Sequence, residues 1–168
     1  MITGFLVSSI QGEPRATHDV DILVNITHAA ILSLIKAFPA PDYYMSELAI
    51  EEAIQHKSMF NLVDTTEGDK ADFWILTDEP FDQSRFARKY EEIILGFSMK
   101  ISTPEDTILM KLRWAKLSGG SEKQFTDALR VYEIQYQKLD LNYLEAWSQA
   151  LLIKELWEKL KQEAQPIT

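Results

Sequence analysis

Apolar positions along this chain change period several times, and the changes outline its elements. Residues 19–25 alternate, Asp19 and Asp21 against Val20, Ile22 and Val24. Period two is the strand period, so the pattern predicts a strand with both carboxylates on one face and the branched residues on the other. Further strands are expected at 60–63, 70–76 and 97–101, with a short one around Ile2. Helical spacing marks 6–10, then 28–38 through Ala30, Ile31, Leu34, Ile35 and Phe38, and 47–57 through Leu48, Ile50, Ala53 and Ile54. Thr27 and Ser46 are placed to cap the last two, and Pro39 and Pro41 end the first of them.

Pro80 and Asp82 introduce a helix expected to reach about Ile94, with Tyr90, Glu91 and Glu92 as solvated or boundary residues. Thr103, Pro104 and Asp106 form a strong helix start, a cap, a proline at the first position and an acid three residues on. That helix offers Ile108, Leu109, Leu112 and Leu117 to the core. Ser118-Gly119-Gly120-Ser121 breaks the chain, and no Gly-Lys-Ser/Thr follows to make it a phosphate loop. Ser121 is expected to cap a helix at 122–137, followed by helices at 139–146 and 147–159, the last with Leu151, Leu152, Leu156, Trp157 and Leu160 in register. The resulting class is α+β: a mixed sheet with flanking helices over residues 1–101, and a helical C-terminal part over 102–168 packed on it.

Composition narrows the class without changing it. The chain has 168 residues, enough for one domain with a real core at 46% hydrophobic content. No run of about 18 apolar residues occurs, which argues against a membrane helix, and the N-terminus lacks the basic region of a signal peptide. Without cysteine there are no thiolate metal sites, thiol nucleophiles or disulfides. A cytoplasmic location is the default expectation. The net charge of -9 works against broad binding of a phosphate backbone but leaves room for a local basic patch or a basic protein partner. Trp74, Trp114, Trp147 and Trp157 fall at apolar positions, where packing is expected rather than base stacking.

The candidate chemistry lies in carboxylates. Asp19 and Asp21 repel each other unless a hard cation with oxygen ligands sits between them; a solvated strand face that happens to carry two acids is the alternative. Asp72 is the one acid inside the apolar run Ala71-Asp72-Phe73-Trp74-Ile75, where an unligated carboxylate is costly. If its strand lies beside the first, three carboxylates form a minimal site for one or two magnesium or manganese ions.

Thr3-Gly4, a spacer and Asp19-Val20-Asp21-Ile22 resemble the signature of the nucleotidyltransferase superfamily named after DNA polymerase beta. The stretches Gly12-Glu-Pro-Arg15-x-Thr17-x-Asp19-x-Asp21, Lys70-x-Asp72-Phe-Trp74 and Ser102-Thr-Pro-Glu105-Asp106-Thr-Ile-Leu-x-Lys111-Leu are similar to those of small bacterial nucleotidyltransferase-like proteins related to antitoxin and abortive-infection components. The resemblance spans nearly the whole chain. It implies a nucleotidyltransferase-like fold and metal-dependent transfer of a nucleoside monophosphate from a nucleoside triphosphate to an acceptor hydroxyl. It makes Asp19, Asp21 and Asp72 the metal ligands and catalytic residues, with Gly4 approaching the triphosphate. Arg15 either neutralises the triphosphate, pairs with one of the acids, or forms a surface salt bridge. The lysine matching Lys111 approaches phosphate in such families, whereas by its position alone Lys111 would snorkel at a helix edge. Relatives of this kind often carry an acid near Asp127, and the resemblance implies for it a structural role, fixing the helical part against the site.

Two departures from the pattern stand out. Phe5 follows Gly4 where the family has Ser or Gly, and the chain begins almost at the motif. Both favour a second expectation, a catalytically degenerate domain acting as an antitoxin-like binding partner. The acceptor is open among protein, RNA and small molecule, and a homodimer is expected if the short start leaves a sheet edge uncovered.

Overall fold

The computed structural model describes residues 1–14 and 19–166. Strand β1 (Ile2–Thr3) passes directly into helix α1 (Gly4–Gln11), and β2 (Asp19–Val24) follows. A single 3-10 turn, His28–Ala30, leads into α2 (Ile31–Ala37); Thr27 begins it without a side-chain capping bond. After the short β3 (Tyr43–Tyr44), Ser46 does cap α3 (Glu47–His56), its hydroxyl accepting from the Ala49 amide at 3.2 Å. Strands β4 (Met59–Asp64) and β5 (Lys70–Ile75) form an antiparallel hairpin.

The chain then departs from the sequence-based expectation. Helix α4 covers only Pro80–Ala87, and Tyr90–Ile94 is a strand, β6, paired antiparallel with β7 (Phe97–Ile101). The physical reason is the turn: Leu95 and Gly96 both take positive φ, 51° and 84°, the backbone of a two-residue hairpin whose twist matches the flanking strands. Tyr90, Glu91 and Glu92 are therefore strand residues.

Seven strands make one mixed sheet in the order β3-β4-β5-β2-β1-β7-β6. β2 and β5 run parallel as neighbours. β1 lies between β2 and β7, and the sheet edges are β3 and β6. On β2 the most buried residue is Leu23, on the same face as the acids, while Val20, Ile22 and Val24 are only half-buried.

Two apolar cores flank the sheet. Ile31, Ile50 and Ala53 of α2 and α3 pack with Phe60 and Ile75, where Phe60 and Phe73 stack at 5.0 Å. The larger core joins α4 to α5 (Pro104–Leu117), α6 (Glu122–Gln135), α7 (Leu141–Ala150) and α8 (Lys154–Glu163), through Ile108, Leu109 and Leu112 and the fully buried Trp157 and Leu160. Leu117 and Leu152, expected inside, are exposed. Leu117 ends its helix at the glycine break, and Leu152 takes a positive φ of 57° in the turn between α7 and α8. That turn also moves the last two helix boundaries from their expected places. Asp140 caps α7 by accepting from the Tyr143 amide at 3.0 Å.

Helix α1 contacts β2, α5 and α6 and thereby fixes the helical part against the sheet. Gln11 at its end donates to the Ser102 carbonyl at 2.7 Å and accepts from Gln135 of α6 at 2.8 Å. Among the described residues, no helix is long and apolar enough to cross a membrane.

Candidate active site

The strand pairing decides where the acids go. Across β2 and β5 the register sets Asp19 opposite Lys70 and Asp21 opposite Asp72. Residues two apart on a strand share a face, so Asp19, Asp21, Lys70 and Asp72 occupy one face of two adjacent strands. Asp19, Asp21 and Asp72 line a cleft of about 540 Å³, whose opposite wall is built from α5 and α6.

Each carboxylate is held by its own neighbours. The Trp74 indole N–H donates to Asp21 Oδ1 at 3.1 Å. Asp21 Oδ2 lies against Gly4, where an added Cβ would come within 2.0 Å of it, and Gly4 has a φ of +68°. Glycine is thus required at position 4 both for the backbone turn into α1 and for the close approach of Asp21. Asp72 Oδ2 pairs with Lys70 Nζ at 3.1 Å, and Asp72 Oδ1 accepts from the Asn61 amide on β4. The bond to Asp72, reinforced by the charges of Asp72, Asp19 and Asp21, raises the Lys70 ammonium above the usual lysine range.

The cations face them. Lys111 of α5 is 5% exposed and joined to Asp127 of α6 at 2.9 Å, so it is not a snorkelling edge residue. Asp127 takes the position of a fixing acid between the helices. The Phe5 ring lies beneath both amines, 5.5 Å from Lys111 Nζ and 5.0 Å from Lys123 Nζ, a cation–π arrangement. At the far end, Arg85 is buried against Asp82 at 2.7 Å while its Nη1 finds no hydrogen-bond partner among the described residues, and Arg113 reaches Glu79 at 2.9 Å. Trp114, 39% exposed, tilts against Trp74 at 5.9 Å; these two indoles line the cleft instead of filling a core. Arg15, like Thr17 and His18, lies outside the described residues.

The donor chemistry suits a hard divalent cation: three carboxylates, one face, one cleft. Among the described residues, however, no group of three or more carboxylate or imidazole side chains is arranged to enclose an ion. Lys70 and Asn61 hold Asp72, and Trp74 holds Asp21. Of the residues that sequence reasoning missed, Lys70 was recoverable: it stands two before Asp72 on a strand, so parity alone puts it on the same face. Asn61 and Arg85 had no such signal, because only the pairing of β4 and the packing of α4 bring them in.

The fold has a counterpart. The chain is similar to the crystal structure of an antigenic nucleotidyltransferase-like protein from Paracoccidioides brasiliensis, at 18% identity and a TM-score of 0.50, over 98% of this chain and 84% of that one. The fold is nucleotidyltransferase-like. No protein-family model and no curated protein matches the sequence.

Proposed function

We propose that this protein is a nucleotidyltransferase, moving a nucleoside monophosphate from a nucleoside triphosphate to an acceptor hydroxyl. The observation that carries the reading is the register of Asp21 with Asp72, with Asp19 on the same face of the cleft. Asp19, Asp21 and Asp72 would hold magnesium or manganese, which when bound supplies neutralisation of the triphosphate charge. Asp72 would stand beside the acceptor and draw off its proton as the hydroxyl oxygen bonds to the α-phosphorus. The bond from that phosphorus to the bridging oxygen breaks, and pyrophosphate leaves. Lys111 and Lys123 lie on the wall where the triphosphate's negative charge would face them, and the open side of the cleft would take the acceptor.

Calorimetric titration with ATP, GTP, CTP and UTP in excess Mg²⁺, on the wild type and on the Asp19→Ala/Asp21→Ala double variant, tests this. Binding of at least one nucleotide by the wild type alone is expected. Equal binding by both, or none by the folded wild type, overturns it.

One observation favours a second reading, a domain that binds a protein partner in antitoxin-like fashion without turnover. The Phe5 ring lines the cleft next to Gly4 and beneath Lys111 and Lys123, where the superfamily pattern has a small residue. On this reading the wild type forms a stable hetero-complex on purification from its host and turns over none of the four nucleotides.

A further inference from the structure

Arg85 is a buried cation whose hydrogen bonds are incomplete. It stands on α4, 5% exposed, and lines the cleft. Its Nε donates to Asp82 Oδ1 at 2.7 Å, and Asp82 Oδ2 accepts from the Thr77 hydroxyl. Asp82 is thereby held on both oxygens and fixes the plane of the guanidinium. Nη1 has no hydrogen-bond partner among the described residues. Two other cations of the cleft wall, Arg113 and Lys111, are engaged by Glu79 and Asp127. A buried donor left without a partner carries its full desolvation cost, and a charged one carries more. The guanidinium fork matches the paired oxygens of a carboxylate or phosphate.

We propose that Arg85 anchors the acceptor by an acid group, a carboxylate or a phosphate, at the end of the cleft away from the reacting hydroxyl. Nη1 donates to an oxygen of that group while Asp82 and Thr77 keep the guanidinium in place. Because Asp82 offsets the charge of Arg85, directed hydrogen bonds hold the group more than net charge does. Asp72 and Trp74 lie on β5, and Thr77 follows just past its end. At most about 18 Å of chain separates Asp72 from Thr77, so a small hydroxylated acid can reach both ends. Trp74 and Trp114 line the cleft that it would occupy. The anion site stands on Arg85 by itself; its assignment to the acceptor rests on the reading of the cleft as a nucleotidyltransferase centre.

The test titrates the ¹⁵N-labelled full chain with inorganic phosphate and, separately, with acetate at constant ionic strength. Binding is read by NMR from the Arg85 Nε–H and the Trp114 indole N–H signals. The wild type is expected to bind at least one anion saturably, and the anion that binds tells phosphate from carboxylate. Arg85→Lys keeps the charge but loses the fork, and should bind at least tenfold more weakly, read from Trp114. Lys123→Ala, which removes a cation from another part of the cleft wall, should bind within twofold of the wild type. If Arg85→Lys does not fold, Asp82→Asn/Arg85→Gln takes its place; if neither folds, saturation of the wild-type Arg85 signal decides. No saturable movement of that signal with either anion leaves water as the partner of Nη1 and overturns the proposal. Equal binding by the wild type and the Arg85 variant, or loss in Lys123→Ala alone, also overturns it. Nucleotide with Mg²⁺ is then titrated into the anion-saturated wild type, where affinity within twofold of the anion-free value is expected. A tenfold loss that Arg85→Lys does not show would place Arg85 on the nucleotide and overturn the acceptor role. No nucleotide binding, with Arg85-dependent anion binding intact, overturns the nucleotidyltransferase reading and the acceptor role with it, and leaves the anion site standing.

Discussion

Gly4 and Asp21 touch so closely that no side chain can stand between them: an added Cβ would lie 2.0 Å from the carboxylate oxygen. The glycine of the motif thus makes room for the acid at least as much as for a ligand. Gly4→Ala must both enter a left-handed backbone region, at roughly 1–2 kcal/mol, and displace Asp21. A stability loss of about 2 kcal/mol or more in urea denaturation is expected, together with weakened Mn²⁺ binding. An unchanged midpoint would show that the contact is relaxed in solution.

The pair Lys111–Asp127 locks α5 to α6 inside the protein, both side chains nearly inaccessible. Removing one partner leaves an uncompensated buried charge, a loss of about 3–5 kcal/mol. Asp127→Asn should show it, and Lys111→Met/Asp127→Leu should recover most of it. Nucleotide titration of the recovered double variant then separates roles, since binding that is lost despite restored stability assigns Lys111 to the triphosphate.

Trp74 couples the site to an optical signal. Its indole donates to Asp21, so an ion captured by that carboxylate alters the ring's surroundings. Tryptophan emission of the wild type should change on Mg²⁺ addition, and Trp74→Phe should abolish the change. The same variant should lose about 1–2 kcal/mol with the hydrogen bond to a charged group.

Asp106 gives the fold a pH signature. It is fully enclosed, accepts from Tyr143 at 2.7 Å and Thr103 at 2.7 Å, and lies 3.4 Å from Arg88. Burial outweighs these partners and pushes the carboxyl above its ordinary value of 3.8; burial likewise pushes the Tyr143 hydroxyl up. The folded state then binds the Asp106 proton more tightly than the unfolded chain does. Its stabilising contribution is complete below the ordinary value and is lost as pH rises through the raised one. Relative to Asp106→Asn, the wild type should therefore gain stability as pH falls through that window, read from urea midpoints at successive pH values. A difference independent of pH would contradict the assignment.

Leu95 is strained at the surface. It holds a φ of 51° in the β6–β7 turn at 93% exposure, so neither packing nor burial compensates the left-handed backbone. Leu95→Asn should stabilise the protein by about 0.5–1 kcal/mol, measured as a rise in thermal midpoint with nucleotide binding unchanged.

Local pattern determined much of this molecule. Alternation in 19–25 fixed one strand and the face its two acids take, the apolar run 70–76 marked a second strand, and Thr103-Pro104 with Asp106 fixed the start of α5, because these signals are completed within a few residues. The hairpin at Leu95-Gly96 was hidden, since a leucine in a left-handed turn carries no turn signature and the charged stretch before it suits a helix equally well. Only the tertiary structure decided that β5 runs parallel beside β2, in the register that sets Asp21 against Asp72 and Lys70 against Asp19. It also decided that Asp127 reaches Lys111, and that two tryptophans line a cleft instead of filling a core. Side-chain parity is a property of one strand and can be read from it; which strand lies alongside, and in what register, is settled by the packing of residues far apart in the chain.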